Sequence, residues 1–330
     1  MSQSTWQRPF PAAPVPEQAP ATFKTPPRSA NLWQLTYNEL YKLWKRRLVW
    51  GLLALDLFFV FGAWCVLVFY SLKTKDGFTP GHLLGGSTAL TNAIIQPMTL
   101  GRRGGEFISV ALGGLAFGGE FSSGAIRLVL SRGVSRASYL VAKYLALAIA
   151  CVALVVASLL MSMLLSNALI VLNPHAPTLL RLNGPTLVAV LSSCLGMLEN
   201  FLFCLLFGAA LSIITRSAAF GIAAGFGYLI AEDIGAQILP VIGNSLHTLL
   251  GHWINELLFT TNLNAFYANS LPHILARGLD TLDGVIACSP SSATVCTTVN
   301  AGQALLVAAI WGLVFAAVST AMFIKRDVLQ

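Results

Sequence analysis

Apolar stretches of about 20 residues recur along this chain, and no other feature constrains its fold so strongly, because about 20 residues of helix cross the hydrocarbon core of a bilayer. Six such stretches lie at about 49–70, 101–119, 139–172, 185–214, 218–242 and 302–324. The second is the weakest, being rich in glycine and preceded by Arg102 and Arg103. The third has 34 residues, roughly 51 Å of helix, so it must tilt or project beyond the hydrocarbon. Only 10% of the residues are charged and 56% are hydrophobic, whereas a soluble domain carries about 25% charged residues. A soluble chain of this length would also divide into domains joined by polar linkers. The expected fold is therefore an all-α integral membrane protein with six transmembrane helices.

The charge that remains is basic, with 20 Lys and Arg against 13 Asp and Glu. In a soluble protein this would suggest nucleic acid. Here the cations lie between apolar stretches, and no basic run interleaved with aromatics occurs in a loop long enough for a nucleic-acid module. Membrane orientation accounts for them better. With the N-terminus inside, the inner segments hold 14 of the 20 basic residues. The outer segments hold Lys73, Lys75, Arg102, Arg103, Arg181 and Arg277. This asymmetry predicts a multi-pass protein of the cell membrane with both termini in the cytoplasm.

Residues 1–30 contain seven of the 15 prolines and read as a disordered cytoplasmic tail. No apolar core follows their few basic residues, which argues against a signal peptide. Residues 31–48 differ. Trp33, Tyr37, Leu40, Trp44 and Leu48 recur at helical spacing, and Asn38, Glu39, Lys42, Lys45 and Arg46 take the other side. That pattern suits an amphipathic helix lying in the headgroup layer, with membrane lipid as a partner; a cytosolic extension of the first span is the alternative. Asn31 is placed to cap its start, with Gln34 reaching back. The segment 49–330 is then the six-span membrane domain.

The outer loop 243–301 is long enough to be functional or ordered. Its apolar residues, such as Trp253 and Phe259, are broken up by Asn255, Asn262, Asn264 and Asn269. Short helices at the outer face fit this better than a seventh span. Cys288 and Cys296 lie in this loop on the oxidising side, so a disulfide between them is expected, two free thiols being the alternative. Cys65, Cys151, Cys194 and Cys204 fall inside spans and read as small hydrophobes.

The most informative stretch joins the second and third spans: G-G-E-F-S-S-G-A-I-R-L-V-L-S-R-G-V-S-R-A-S-Y-L-V-A-K, residues 118–143. Ser122 or Ser123 is suited to cap a short helix that carries Ile126, Val129 and Leu130 as a stripe, with Arg127 beside it. Gly133 can end that helix in a left-handed turn, and Ser135 can cap the next one. A short amphipathic helix across the inner ends of two spans is suited to docking a soluble partner.

These residues resemble the permease subunits of type-2 ABC transporters. That family ends its second span with a Glu-aromatic-x-x-Gly pattern and starts its third after a Ser-Arg pair, with a Lys beyond. Glu120, Phe121, Gly124, Arg127, Ser135, Arg136 and Lys143 match; Ala125 stands where the family usually has Thr. The amphipathic leading helix and the long outer segment before the last span also match. The resemblance covers about residues 31–327. It implies an exporter permease working as a dimer of identical or related subunits, powered by two cytosolic ABC ATPase chains. Coupling would run through the 120–136 loop, with Glu120, Phe121, Gly124, Ile126, Arg127, Val129, Leu130 and Arg136 as the contacts. ATP and Mg would sit on the partner ATPase, and no cofactor is expected in this chain, which has no Gly-x-x-x-x-Gly-Lys-Ser/Thr loop.

Charges inside spans are costly and often functional. Asp56 lies two turns into the first span, within reach of Arg46 or Arg47. Glu199 and Asn200 lie near the middle of the fourth, and Glu232 and Asp233 toward the outer part of the fifth. These four are candidates for a transport path or gate, although Glu232 and Asp233 would also suit the outer headgroups. His247 and His252 do not share a helical face as a zinc pair would, and a His252–Glu256 contact would be structural. The competing class is a non-transporting anchor or an intramembrane enzyme. An enzyme needs a catalytic pair at one depth, and no metal-ligand, nucleophile or acid–base constellation stands out in the sequence.

Overall fold

The computed structural model describes residues 31–73, 89–124, 126, 131, 134–172, 184–245, 257–270 and 301–325. Among these residues there are eight helices and no strand. They are α1 Leu32–Lys45, α2 Arg47–Lys73, α3 Ala89–Ser123, α4 Arg136–Leu172, α5 Gly184–Thr215, α6 Ala218–Ser245, α7 Phe259–Ser270 and α8 Ala301–Lys325. Five of them, α2, α4, α5, α6 and α8, are long and apolar enough to cross a membrane. The protein is thus an all-α integral membrane protein.

The sixth long helix, α3, has 35 residues but does not reach that hydropathy, and its place in the bundle explains why. It packs against α2, α4, α5 and α6 at once. A helix surrounded by protein has no lipid to face, so it can carry polar and small residues that an outer span cannot. Its glycines serve close approach. A Cβ on Gly113 would stand 2.3 Å from the Leu205 carbonyl oxygen, and one on Gly208 of α5 would stand 2.3 Å from the Val110 carbonyl oxygen. The α3 and α5 backbones therefore meet along a reciprocal glycine seam, and side chains from both sides complete one core with Leu112, Phe117, Phe201 and Leu205. A second, aromatic core joins α5, α7 and α8 through Phe207, Phe259, Phe315 and Trp311. Outward-facing α4 shows Val141, Leu145, Val152, Val156 and Leu160, exposed at helical spacing as a lipid-facing surface must be.

The leading helix forms with its large aromatics outward, and it departs from the expected pattern at Glu39, Asn31 and Arg46. Trp33, Tyr37, Tyr41 and Trp44 are exposed, while Thr36, Glu39 and Leu43 are buried against the bundle. Glu39, read as part of the solvated face, instead lies inward and pairs with Lys42. Asn31 makes no side-chain capping bond. Extended backbone at Arg46 breaks the helix. Across that break Trp50 Nε1 donates to the Trp44 carbonyl at 2.9 Å, with the two rings edge to face. Between α5 and α6, Arg216 takes a left-handed φ of 56° and Ser217 Oγ accepts from the Phe220 N–H, so two spans reverse within two residues.

Candidate functional site

Two buried polar clusters sit at the two ends of the Arg102–Glu120 stretch of α3. Glu120 and Arg102 are 18 residues apart, about 27 Å along a helix, close to the ~30 Å depth of the hydrocarbon.

At the first end, α3 stops where the chain chemistry lets it stop. Ser122 and Ser123 hydroxyls turn back to the carbonyls of Gly119 and Glu120, serving the last turn and not a new helix. Gly124 then takes φ +69°, with its N–H on the Phe121 carbonyl, so α3 ends in a left-handed turn here; Gly133 lies outside the described residues. Ser135 caps α4 as expected, its Oγ accepting from the Ser138 N–H at 3.1 Å. This brings Tyr139 and Lys143, one turn apart, over the end of α3. Both donate to Glu120 Oε2. Lys42 and Arg46 of α1 approach the other carboxylate oxygen at 3.9 Å. Lys143 lies over the Phe117 and Tyr139 rings, which shields its charge on the apolar side. One carboxylate, 3% exposed, thus fastens α1, α3 and α4 together.

Glu120 therefore faces the bundle interior, as does Ile126, which is 1% exposed. Phe121 is half-buried against Phe323 of α8, Gly124 is exposed, and Arg136 is half-buried. Arg127, Val129 and Leu130 lie outside the described residues, as does the expected Cys288–Cys296 pair.

The second end was not anticipated. Arg102 and Arg103 read as loop cations before a span, yet α3 begins at Ala89 and encloses them. Arg102 is wholly buried. Its Nη1 donates to Glu106 Oε1 at 2.6 Å and to Asn264 Oδ1 of α7 at 2.7 Å, and its guanidinium lies 4.7 Å from the Tyr267 ring centre. The Tyr267 hydroxyl is shared with Thr99 of α3 at 2.9 Å and Ser193 of α5 at 2.7 Å. Arg103 reaches Glu106 at 3.4 Å and Asp233 at 3.1 Å. Glu232 accepts the Thr260 N–H at the start of α7 at 2.5 Å. Of the four intramembrane candidates, Glu232 and Asp233 thus join one network, as partners of α7 and of Arg103. Asn200 is buried and accepts weakly from Cys204 at 3.6 Å. Glu199 is half-buried, with Oε1 unpartnered among the described residues. Asp56 pairs with neither Arg46 nor Arg47: Ser158 of α4 donates to it at 2.6 Å, deep in the α2–α4 contact.

The sequence signal for this second cluster was the i, i+4 spacing of Arg102 and Glu106 inside a glycine-rich stretch. Glu106 fell inside the expected second span, and Asn264 in the expected short outer helices, but neither was given a role, because their partners come from other segments of the chain.

A comparison with curated proteins finds no match. The sequence model described as "ABC-2 family transporter protein" matches residues 33–328, from the second residue of α1 to beyond the end of α8. With an all-α spanning bundle and that match over nearly its whole length, this chain belongs to the ABC-2 transporter family, as a multi-pass transmembrane permease.

Proposed function

We propose that the chain is the permease half of an ATP-driven exporter, working beside a second permease subunit and two separate cytosolic ATPase chains. The observation that carries this reading is the Glu120 junction. Two long helices, α3 and α4, and the interfacial helix α1 converge on one buried carboxylate beside the 120–136 loop. A push on that loop reaches all three without loss in flexible linkers. Since Glu120 and Ile126 point inward, the docking surface proper falls to Arg127, Val129 and Leu130, with Phe121, Gly124 and Arg136 at its edges. Each large apolar side chain buried by a partner there contributes roughly 1.5–3 kcal/mol. ATP and Mg belong on the partner. The termini lie in the cytoplasm, and Glu199, Asn200, Glu232 and Asp233 border the path for cargo.

Val129→Asp combined with Leu130→Asp tests the reading. The variant should insert normally, lose its ATPase partner on affinity isolation, and lose the associated ATP hydrolysis. Retention of a fully active partner overturns the placement of coupling in this loop.

A further inference from the structure

The break between α1 and α2 carries charge that the Glu120 hub does not use up. Lys45, Arg46 and Arg47 are consecutive there, and Lys42 stands one turn earlier. The Arg46 guanidinium lies at the inner end of α3, where a Cβ on Gly119 would stand 3.9 Å from its Nη1. A cleft opens beside it, bordered by Lys42, Leu43 and Arg46 of α1, Ala116 and Glu120 of α3 and Lys143 of α4. Charge in this cleft does not cancel. Lys143 answers Glu120, and Lys42 answers Glu39, which also borders the cleft. Arg46 is left over. Its nearest carboxylate oxygen among the described residues is Glu120 Oε1 at 3.9 Å, beyond hydrogen-bond range. Lys42 stands 3.9 Å from the same oxygen. A guanidinium has five N–H donors in a fixed fork, and this one is 39% exposed. Lys45 lies over the Tyr41 ring at 5.4 Å, and Arg47 is exposed. Tyr41, Trp44 and Trp50 surround the break and are exposed too. Such aromatics sit at headgroup level, where lipid phosphates are the anions at hand.

We propose that Arg46 and Lys42 clamp the phosphate of an anionic lipid at the α1–α2 break, in the inner leaflet on the orientation given above. The guanidinium fork matches two phosphate oxygens, and the Lys42 ammonium serves a third as a point charge. Lys45 and Arg47 draw anionic lipid to the break without entering the cleft, as basic residues beside a span do. The excess of positive charge favours a headgroup with no cation of its own. Because both clamping residues also border Glu120, the lipid ties the α1 side of the hub to the membrane surface. The site needs no ATPase, so it stands or falls apart from the proposed coupling.

Native mass spectrometry of the full chain in detergent counts bound lipid and tests the clamp. Phosphatidylglycerol and phosphatidylcholine share the phosphate and differ in headgroup charge. The first phosphatidylglycerol should bind at least tenfold more tightly than phosphatidylcholine. Lys42→Gln combined with Arg46→Gln should bring the two lipids within about twofold of each other. If the double variant fails to accumulate, Arg46→Gln alone removes a half-exposed side chain and should weaken phosphatidylglycerol binding at least threefold. Lys45→Gln, outside the cleft, should weaken it less. Equal affinity of the parent chain for the two lipids overturns the site, as does unchanged binding in Arg46→Gln. Equal losses from Lys45→Gln and Arg46→Gln would leave only a diffuse basic surface and overturn the clamp. Full displacement of the lipid by an equal concentration of inorganic phosphate would make this a site for the free anion and overturn its assignment to lipid.

Discussion

The two polar clusters of α3 solve the same problem differently. At the Glu120 end one carboxylate gathers a fully buried Lys, a Tyr hydroxyl and two more distant cations. At the Arg102 end two arginines share two carboxylates and an amide, and the Tyr267 hydroxyl bridges α3 and α5. The first is a hub, in which every bond passes through Glu120. The second is a mesh, in which Glu106 keeps one partner when the other is removed. A hub transmits force without slack; a mesh can exchange partners.

The comparison breaks most easily at the hub. Lys143→Met should destabilise the protein by about 3–5 kcal/mol, because it leaves a buried carboxylate without its near cation. Adding Glu120→Gln should recover much of that loss. Thermal unfolding in detergent measures both, and a double variant no more stable than Lys143→Met would show that Glu120 is not the centre of the junction. Arg103→Ala probes the mesh. Arg102 still holds Glu106, so the loss should be about 1.5–2 kcal/mol, at the low end of the range for a hydrogen bond to a charged group. A loss as large as that of Lys143→Met would erase the distinction between the two ends. Lys42→Ala sharpens the hub from its rim. Lys42 is 42% exposed and 3.9 Å from Glu120, so with Glu39→Gln as the background, which removes its other charged partner, its loss should cost about 0–1 kcal/mol. A larger loss would mean that α1 is held electrostatically and not by Leu43 and Thr36.

Much of the architecture was legible because lipid enforces simple rules. The outer spans, the exposed aromatics of α1 and the Ser135 cap follow from periodicity and capping chemistry alone. α3 was only partly legible. Hydropathy reports what a helix faces, and α3 faces other helices, so its first three turns, before the expected span, resembled a loop, and Arg102 and Arg103 resembled loop cations. The inward position of Glu39, Glu120 and Ile126 was hidden for a related reason. Each sits at a junction of three elements, and a single segment's pattern cannot reveal a neighbour contributed from elsewhere in the chain. Asp56 shows the same limit: nearby arginines looked like its partners, but Ser158 lies 102 positions away in sequence and directly against it in space.

The low hydropathy of α3 also bears on how the chain is made. An Arg near the centre of an inserting segment opposes membrane entry by about 2.5–3.5 kcal/mol, and α3 carries Arg102, Arg103 and Glu106 within one and a half turns. Its best shelter, the glycine-lined face of α5, is synthesised some 60 residues after α3 is complete. During biogenesis α3 must therefore wait beside the insertion machinery, or enter together with later helices. Chains truncated before Gly184 should leave it stranded and be cleared by quality-control proteases.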